Sequence, residues 1–482
     1  MSKSSVDPNH RGPSPFAVIA LGAVLLASTL LLAWAVPLTP GRLEHPAATL
    51  LPRFPFWAFL AANRPAFLDQ PGTFAALLLL ACGASFAVCA LAVRLLWTVG
   101  PRRDLTAIVL GVGVLSLGVT AVAPPNLNSN IWNYMARGRV AAAHGHNPYL
   151  TAVDEFPEDP IFPYANHDHT GNPGGKPAAW MVFNIAWAWL GKGDPVRTLF
   201  VYRGGLLLFS VGTMLVLHAA ARRLRPGRDL AGLALWAWNP IVLMSSLGRT
   251  DTVMMFWLVL GSWLLVSGRR RLAVIPLTLS VHVKLVTAPL LAVAALAQAR
   301  RREFKELAIA TAIVAATTVV IWAPFYSDNA GDLVEGYAYV ATSAEGSVGG
   351  AAKKVATAGF ALLVLLIGLT RRGDDLHLLE GWVIIQIYFS LFLAKFASAD
   401  YLMPLIALVA LRMDWRAVLV TFALGLSYFL FDQWYLVGAE NFPLPDLFPF
   451  PRIVVFFLPP IGAVFYLAVR FARRRLRGPA AQ

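Results

Sequence analysis

An all-α polytopic membrane protein is the fold class this chain predicts, on three observations. Apolar runs of about 20 residues recur along it, the length that crosses a bilayer as a helix. Only 14% of its residues are charged and 57% are hydrophobic, whereas roughly a quarter are charged in a soluble domain. Its arginines gather at the ends of the runs, the mark of cytoplasmic turns. The formal net charge of +14 over 482 residues therefore reports membrane orientation, and nucleic acid is not an expected partner.

The charges order the elements. A tail of residues 1–14 precedes Pro15–Val36, a run too long for a secretory signal and without a small-x-small cleavage site, so it reads as a retained first span. Thr73–Trp97 leads to Arg102 and Arg103, which places that turn and the N-terminus in the cytoplasm. Leu105–Ala123 exits, and the loop from Pro124 to Lys176 is extracytoplasmic. One crossing, Leu199–Ala221, then reaches Arg222, Arg223 and Arg225. The run Ala178–Leu190 is therefore expected to be re-entrant or interfacial, with Trp180, Trp187 and Trp189 in the headgroup zone.

Asp229–Leu247 leads out to a turn at Gly248–Asp251, and Thr252–Val266 leads back to Arg269–Arg271. Leu272–Gln298 has basic clusters at both ends, the second at Arg300–Arg302. Its 27 residues suit a hairpin of two half-helices breaking near His282, Lys284 and Pro289. Such irregular backbone is tolerated at membrane depth only inside protein or along a cavity. Leu307–Phe325, Val355–Leu369, Leu378–Ala394, Tyr401–Leu411, Ala417–Phe431 and Ile453–Phe471 alternate out and in, and 473–482 is a basic cytoplasmic tail. The sum is a bundle of roughly 12–14 membrane helices over residues 15–472. Cys82 and Cys89 share one run, cannot bridge within one helix, and leave the redox compartment open.

The segment Asn126–Leu150 is polar, aromatic and basic where its neighbours are apolar. At helical spacing from Ser129 to Val140, Asn130, Asn133, Arg137 and His144 fall on one stripe. Ile131, Met135, Gly138 and Ala142 fall on another. An amphipathic helix at the membrane surface is the expectation, and its guanidinium stripe suits an anion. A solvated connector helix is the alternative.

Ionisable groups outside or within the membrane are costly unless used. Besides Arg137 and Arg139 they include Asp154, Glu155, Glu158, Asp159, Asp168 and Lys176 in the loop, Arg249 with Asp251, Lys284 beside His282, and Lys395 with Asp400. Asp154 to Asp159, among prolines, also reads as a solvated loop face, and Arg249 with Asp251 as a local salt bridge at a helix start. Lys284, flanked by Val283 and Leu285, needs an anion or a water path. The H-x-H pairs at His144–His146 and His167–His169 lack further ligand spacing, so no metal or other cofactor is indicated, and a need for a divalent metal stays open.

Four stretches carry a resemblance. The first is Ser129-Asn130-Ile131-Trp132-Asn133-Tyr134, then Gly138-Arg139 and Asn147-Pro148-Tyr149. The second is Asp159-Pro160 and Pro163-Tyr164, leading to Lys176-Pro177-Ala178-Ala179-Trp180. The third is Trp238-Asn239-Pro240, then Gly248-Arg249-Thr250-Asp251 and Met254. The fourth is Val283-Lys284 with Pro289-Leu290. In order and spacing, over roughly residues 105 to 300, the chain resembles the GT-C class of integral-membrane glycosyltransferases. Within it, the chain is most similar to the bacterial group that includes polyprenol-phosphate-mannose-dependent α-1,6-mannosyltransferases. The family pattern has Asp where this chain has Asn130, Y-G-P-L-W where it has K-P-A-A-W, and G-H-N-D where it keeps only Gly248 and Asp251.

The resemblance implies a GT-C-like bundle in a bacterial cytoplasmic membrane. It also implies inverting transfer of a hexose, mannose by the nearest group, from a polyprenyl-phosphate-sugar donor to a glycan or glycolipid acceptor. Membrane lipids surround the site. For the phosphate the expected residues are Arg137, Arg139, Arg249 and Lys284. The base expected is Asp251, with Asp154 and Asp168 behind it. Asn130, Asn133, Tyr134 and Lys176 complete the expected substrate contacts. Three rival readings share the many spans and basic outer loop: a flippase or transporter of lipid-linked glycans, a polymerase of them, and a catalytically inactive homologue.

Overall fold

The computed structural model describes residues 13–38, 44–125, 130–166, 170–326, 350–370, 375–393, 399–437 and 462. Asp168, His167, His169, Ser129, Lys395, the expected last span Ile453–Phe471 apart from Gly462, and the tail 473–482 lie outside the described residues. Among those described, helices dominate and no strand occurs.

The helices are α1 Pro15–Ala35, α2 Pro55–Ala62, α3 Pro71–Leu96, α4 Arg103–Ala121, α5 Asn130–Ala142 and α6 Ala178–Gly191. They continue with α7 Pro195–Leu224, α8 Asp229–Ala237, α9 Pro240–Ser245, α10 Asp251–Val266, α11 Arg270–Val283 and α12 Ala288–Arg300. The last are α13 Phe304–Trp322, α14 Gly350–Thr370, α15 Asp375–Phe392, α16 Met403–Arg412 and α17 Trp415–Val437. Among the described residues, five stretches are long and apolar enough to cross a bilayer: α1, Ala76–Leu96 within α3, α4, α7, and Phe304–Phe325. The chain is thus an all-α membrane protein. Several expected crossings are shorter apolar helices, such as α10 with 16 residues and α16 with 10.

The bundle is built around short buried helices. Every residue of α8 is buried, and α8 packs against α3, α4, α7 and α16. At Gly232 a Cβ would run into the carbonyl oxygen of Ala410, so the backbones of α8 and α16 meet at a distance only glycine allows. The expected single leg Asp229–Leu247 is broken instead. Pro240 supplies no N–H and opens α9, while Asn239 Oδ1 accepts the Ile241 N–H at 3.0 Å and caps it. The Trp238 indole donates to the Val109 carbonyl in α4 at 2.9 Å, which locks the break into the core.

Arg203, inside the long apolar helix α7, was not singled out by sequence. Its guanidinium donates to the carbonyls of Ala121, Ala123 and Pro124 at 3.2, 2.5 and 3.2 Å. These are the orphan acceptors at the end of α4, so a charge that is costly in lipid becomes a helix cap in protein.

The hairpin expectation holds. α11 runs to Val283, Lys284 adopts an extended backbone (φ −157°, ψ 125°), a 3-10 turn covers Leu285–Thr287, and α12 returns. Ser280 Oγ bonds both the Met254 carbonyl and Thr287 Oγ1, at 3.2 and 3.1 Å, so one hydroxyl ties the turn to α10. α11 packs on α10 and α13, whereas α12 packs on α14. The legs therefore diverge from an apex at Lys284. Helices of 14 and 13 residues reach about 20 Å, two-thirds of the hydrocarbon core.

Candidate functional site

The loop from Pro124 to Lys176 corrects the sequence reading. α5, described from Asn130, ends two residues later than expected, and it does not lie on a surface. Residues of both expected stripes are buried, among them Ile131, Asn133, Met135 and Gly138, and so is Arg139 beside them. The reason is that the loop brings its own polar partners to the helix. Asn133 Oδ1 accepts the Asn166 N–H at 2.8 Å. Arg139 Nε donates to both oxygens of Asp159 at 2.7 and 2.8 Å, His144 Nε2 meets the same carboxylate at 2.8 Å, and the Ile161 N–H reaches it at 2.9 Å. His144 also stacks flat on Phe156, with ring centroids 4.0 Å apart. Arg139, expected at a phosphate, is committed to Asp159, and Asp159 is buried rather than a solvated loop face. Asp154 is exposed on a 3-10 turn held by the Thr170 carbonyl and takes no part in the cluster described next.

Helix α6 is the short helix expected over Ala178–Leu190, and two of its three expected interfacial tryptophans are packed inside protein. Trp180 and Trp187 are buried in protein, edge-on to Tyr134 and Tyr202 respectively, and only Trp189 is exposed. α5 crosses α6 at Gly138, where a Cβ would come within 2.6 Å of the Asn184 carbonyl oxygen. That explains the glycine ahead of Arg139.

The groups that do meet come from the start of α10, the hairpin apex and a 3-10 turn at Ala399–Leu402. Lys284 Nζ lies 2.8 and 2.9 Å from the two oxygens of Asp251 and 3.3 Å from Asp400 Oδ2. Arg249 Nε is 4.0 Å from Asp400 Oδ1. The side chains of Asp251 and Asp400 are 1% and 5% exposed, those of Lys284 and Arg249 15% and 24%, so the carboxylates form the floor and the cations the rim. Lys284 Nζ also stands 4.1 Å from the centre of the Tyr401 ring. Arg249 and Asp251 thus do not form the expected local salt bridge. Each pairs with a group far along the chain, because two half-helices and a 3-10 turn deliver their ends to one place.

Two further cations border this cluster. Lys176 Nζ lies over the Tyr134 ring at 5.8 Å. Burial, then the nearby Lys284 and Arg137, push the Lys176 amine down to about 8, against the pull of Asp251 and Asp400. Burial likewise lowers the half-buried Arg137 guanidinium from its ordinary value. It raises the Tyr134 phenol to about 12, with Arg249 and Lys284 opposing. Gly175, at φ +91°, leaves the space into which the Arg137 guanidinium lies, and a Cβ there would collide with it. The N-P-Y stretch positions the neighbouring residue. The Tyr149 hydroxyl donates to the Lys176 carbonyl at 2.8 Å, and Asn147 Nδ2 donates to the Phe325 carbonyl at 3.0 Å. Asn130 is half-buried at the first turn of α5.

Of the expected site residues, the structure brings together Tyr134, Arg137, Lys176, Arg249, Asp251 and Lys284. It assigns Arg139 and Asn133 to loop anchoring. Asp400 is the addition. Its signal in the sequence was an acid in a short outer turn between apolar runs, and its partners were not legible there. Among the described residues, Lys284 and Arg249 meet two buried carboxylates, Asp251 and Asp400, with Lys176 and Arg137 nearby. Buried carboxylates rimmed by lysine and arginine can hold an anionic group beside a proton acceptor. Among the described residues no three His, Cys, Asp or Glu side chains converge. No family model, no curated protein and no solved structure matches the chain.

Proposed function

We propose that this protein is a membrane glycosyltransferase. It transfers a hexose, mannose by the resemblance, from a polyprenyl-phosphate-sugar to a glycan or glycolipid acceptor, by single displacement with inversion. The observation that carries this reading is the buried cluster at the hairpin apex, where Lys284 joins the carboxylates of Asp251 and Asp400 and Arg249 stands at the rim.

The chemistry follows from those groups. The acceptor hydroxyl oxygen attacks the anomeric carbon, and the bond from that carbon to the phosphate oxygen breaks. The polyprenyl phosphate leaves with the bonding electrons, and the hydroxyl proton passes to a carboxylate. The donor carries one negative charge and the departing monoester approaches two. Cations fixed in a dry site therefore stabilise the transition state more than the ground state. Arg137 and Arg249 offer paired N–H donors, and Lys176 and Lys284 act as point charges.

Asp251 is the proton acceptor in this scheme. A phosphate that draws Lys284 to itself releases one Asp251 oxygen for the incoming hydroxyl. Asp400, held to Lys284 by the longer contact, keeps the lysine oriented. Tyr134 and Tyr401 supply ring faces for the sugar.

Membranes containing the protein, given polyprenyl-phosphate mannose with labelled sugar, are expected to form labelled lipid or glycan. Asp251→Asn is expected to stop this while the protein still accumulates. Translocation of the donor in vesicles without any covalent transfer, tried across polyprenyl-phosphate hexoses, refutes the enzyme reading.

A further inference from the structure

The stretch between the first two spans carries an element that run length does not separate. After a 3-10 helix at Pro46–Arg53 comes α2, eight residues that read P-F-W-A-F-L-A-A and are uncharged throughout. At 1.5 Å per residue, α2 is about 12 Å long, far short of a hydrocarbon core of about 30 Å. It is apolar without being a span.

Its contacts fix where it lies. Trp57 is fully buried, and its indole donates to the carbonyl of Val122, one residue past the end of α4, at 2.9 Å. The same ring stacks on Phe200 in the second turn of α7, with centroids 5.8 Å apart. Phe56 meets Trp34, next to last in α1, edge-on at 4.9 Å. Arg64, just beyond α2, donates to the carbonyl of Leu38, just beyond α1, at 3.3 Å. Each of these partners stands within two turns of an end of a spanning helix. The three spans α1, α4 and α7 therefore end at one level, and α2 lies across their ends.

The side of α2 turned away from Trp57 carries Phe56 and Phe59, which are 50% and 60% exposed. This face continues surface that the spans already present to lipid: Leu30 in the last two turns of α1 is 49% exposed and Val122 41%. Charges are kept to its two ends, where Arg53 pairs with Asp194 and Arg64 with Asp69. A short apolar face bounded by ion pairs, at the level where spans stop, has the chemistry of the boundary between acyl chains and headgroups. We infer that α2 is an interfacial anchor, and that its Phe56–Phe59 face docks into that boundary of the bilayer. The Trp57 pin sets the rotation of α2, so the two phenyl groups hold the ends of α1, α4 and α7 at one depth.

The test places a nitroxide at Phe59→Cys in the full chain, in phosphatidylcholine nanodiscs holding one chain each, with Phe56→Cys as a second site. Cys82 and Cys89 are buried, and the unsubstituted chain gives the background label. Accessibility to oxygen, which concentrates in hydrocarbon, is compared with accessibility to a nickel chelate, which stays in water. Val24→Cys, midway along α1 at a position 47% exposed, marks the membrane interior, and Asp154→Cys, on an exposed turn, marks water. Positions 56 and 59 are expected to favour oxygen, at a depth of about 5–10 Å that lies between the two markers. A nickel preference like that of position 154 overturns docking, because α2 then stands in water. A depth equal to that of position 24 overturns the interfacial placement. Protection from both quenchers means that protein covers the phenyl face and overturns the lipid assignment; spin–spin broadening in vesicles holding several chains then identifies a second copy as the cover. None of these readings depends on glycosyl transfer.

Discussion

Two buried ion clusters use the same chemistry to different ends. In the loop that carries α5, Arg139, His144 and Asp159 lie within 20 residues of one another, and a backbone amide at Ile161 also reaches the Asp159 carboxylate. At the hairpin apex, Lys284 reaches Asp251 and Asp400 across 33 and 116 residues, and Lys176 lies near the cluster. The first cluster gathers its donors on one carboxylate and serves to fasten the loop over α5. The second joins separate elements around two buried carboxylates that share one lysine. A buried charge is therefore a weak guide to function by itself, and the elements that its partners come from are the better guide.

The sharpest way to break this comparison is to replace each pair by apolar residues. Arg139→Met with Asp159→Leu is expected to keep stability within about 2 kcal/mol and to keep transfer activity, since a buried pair and an apolar pair of similar volume are often nearly equivalent. Lys284→Met with Asp251→Leu is expected to keep the fold and lose at least about a hundredfold in turnover, the usual contribution of a placed proton acceptor. Equal loss in both doubles, read by labelled-sugar transfer, erases the distinction.

Breaking one partner of the loop pair comes next. Asp159→Asn leaves Arg139 buried without its counter-charge and is expected to cost about 3–5 kcal/mol by denaturant titration. The surviving folded fraction is expected to retain its donor KM.

A smaller effect is expected from pH. Lys176 is protonated below about 8, and a bound phosphate raises its affinity for that proton. Donor affinity is thus fully present below pH 8 and falls as pH rises through it, by up to about tenfold per unit. Lys176→Met is expected to weaken donor binding at pH 7 and to flatten this limb in KM-against-pH measurements. A limb that persists in the variant assigns it to another group. Asp154→Asn sets the floor of the scale. On an exposed turn it is expected to change stability by less than about 0.5 kcal/mol and to leave turnover unchanged.

Much of this was legible along the chain. The Arg clusters at both ends of Leu272–Gln298 required a return, and the structure places the break at Lys284. The alternation of basic clusters left room for one crossing before Arg222, so the short run Ala178–Leu190 was expected as a partial element, and α6 is 14 residues long. The stripe on α5 misled, because side-chain polarity was read as exposure. Asn133 on that stripe and Arg139 off it are both buried, with partners at Asn166 and Asp159 that no helical periodicity reports. Asp229–Leu247 misled differently. Its mean apolarity matched a span, while Asn239-Pro240 carried a cap and a break that hydropathy averages away.

Composition, run length and basic clusters by themselves determined that this is a helical membrane protein whose chain turns back within Leu272–Gln298. Those properties depend on solvation of the chain and on chain length, which are local quantities. Tertiary structure alone decided that Asp400 joins Asp251 at Lys284, that Arg139 is spent on Asp159, and that Arg203 caps α4. Each of these is a pairing of charges brought together from separate elements. A buried charge takes whichever partner packing delivers within about 3–4 Å, and sequence distance does not enter that choice.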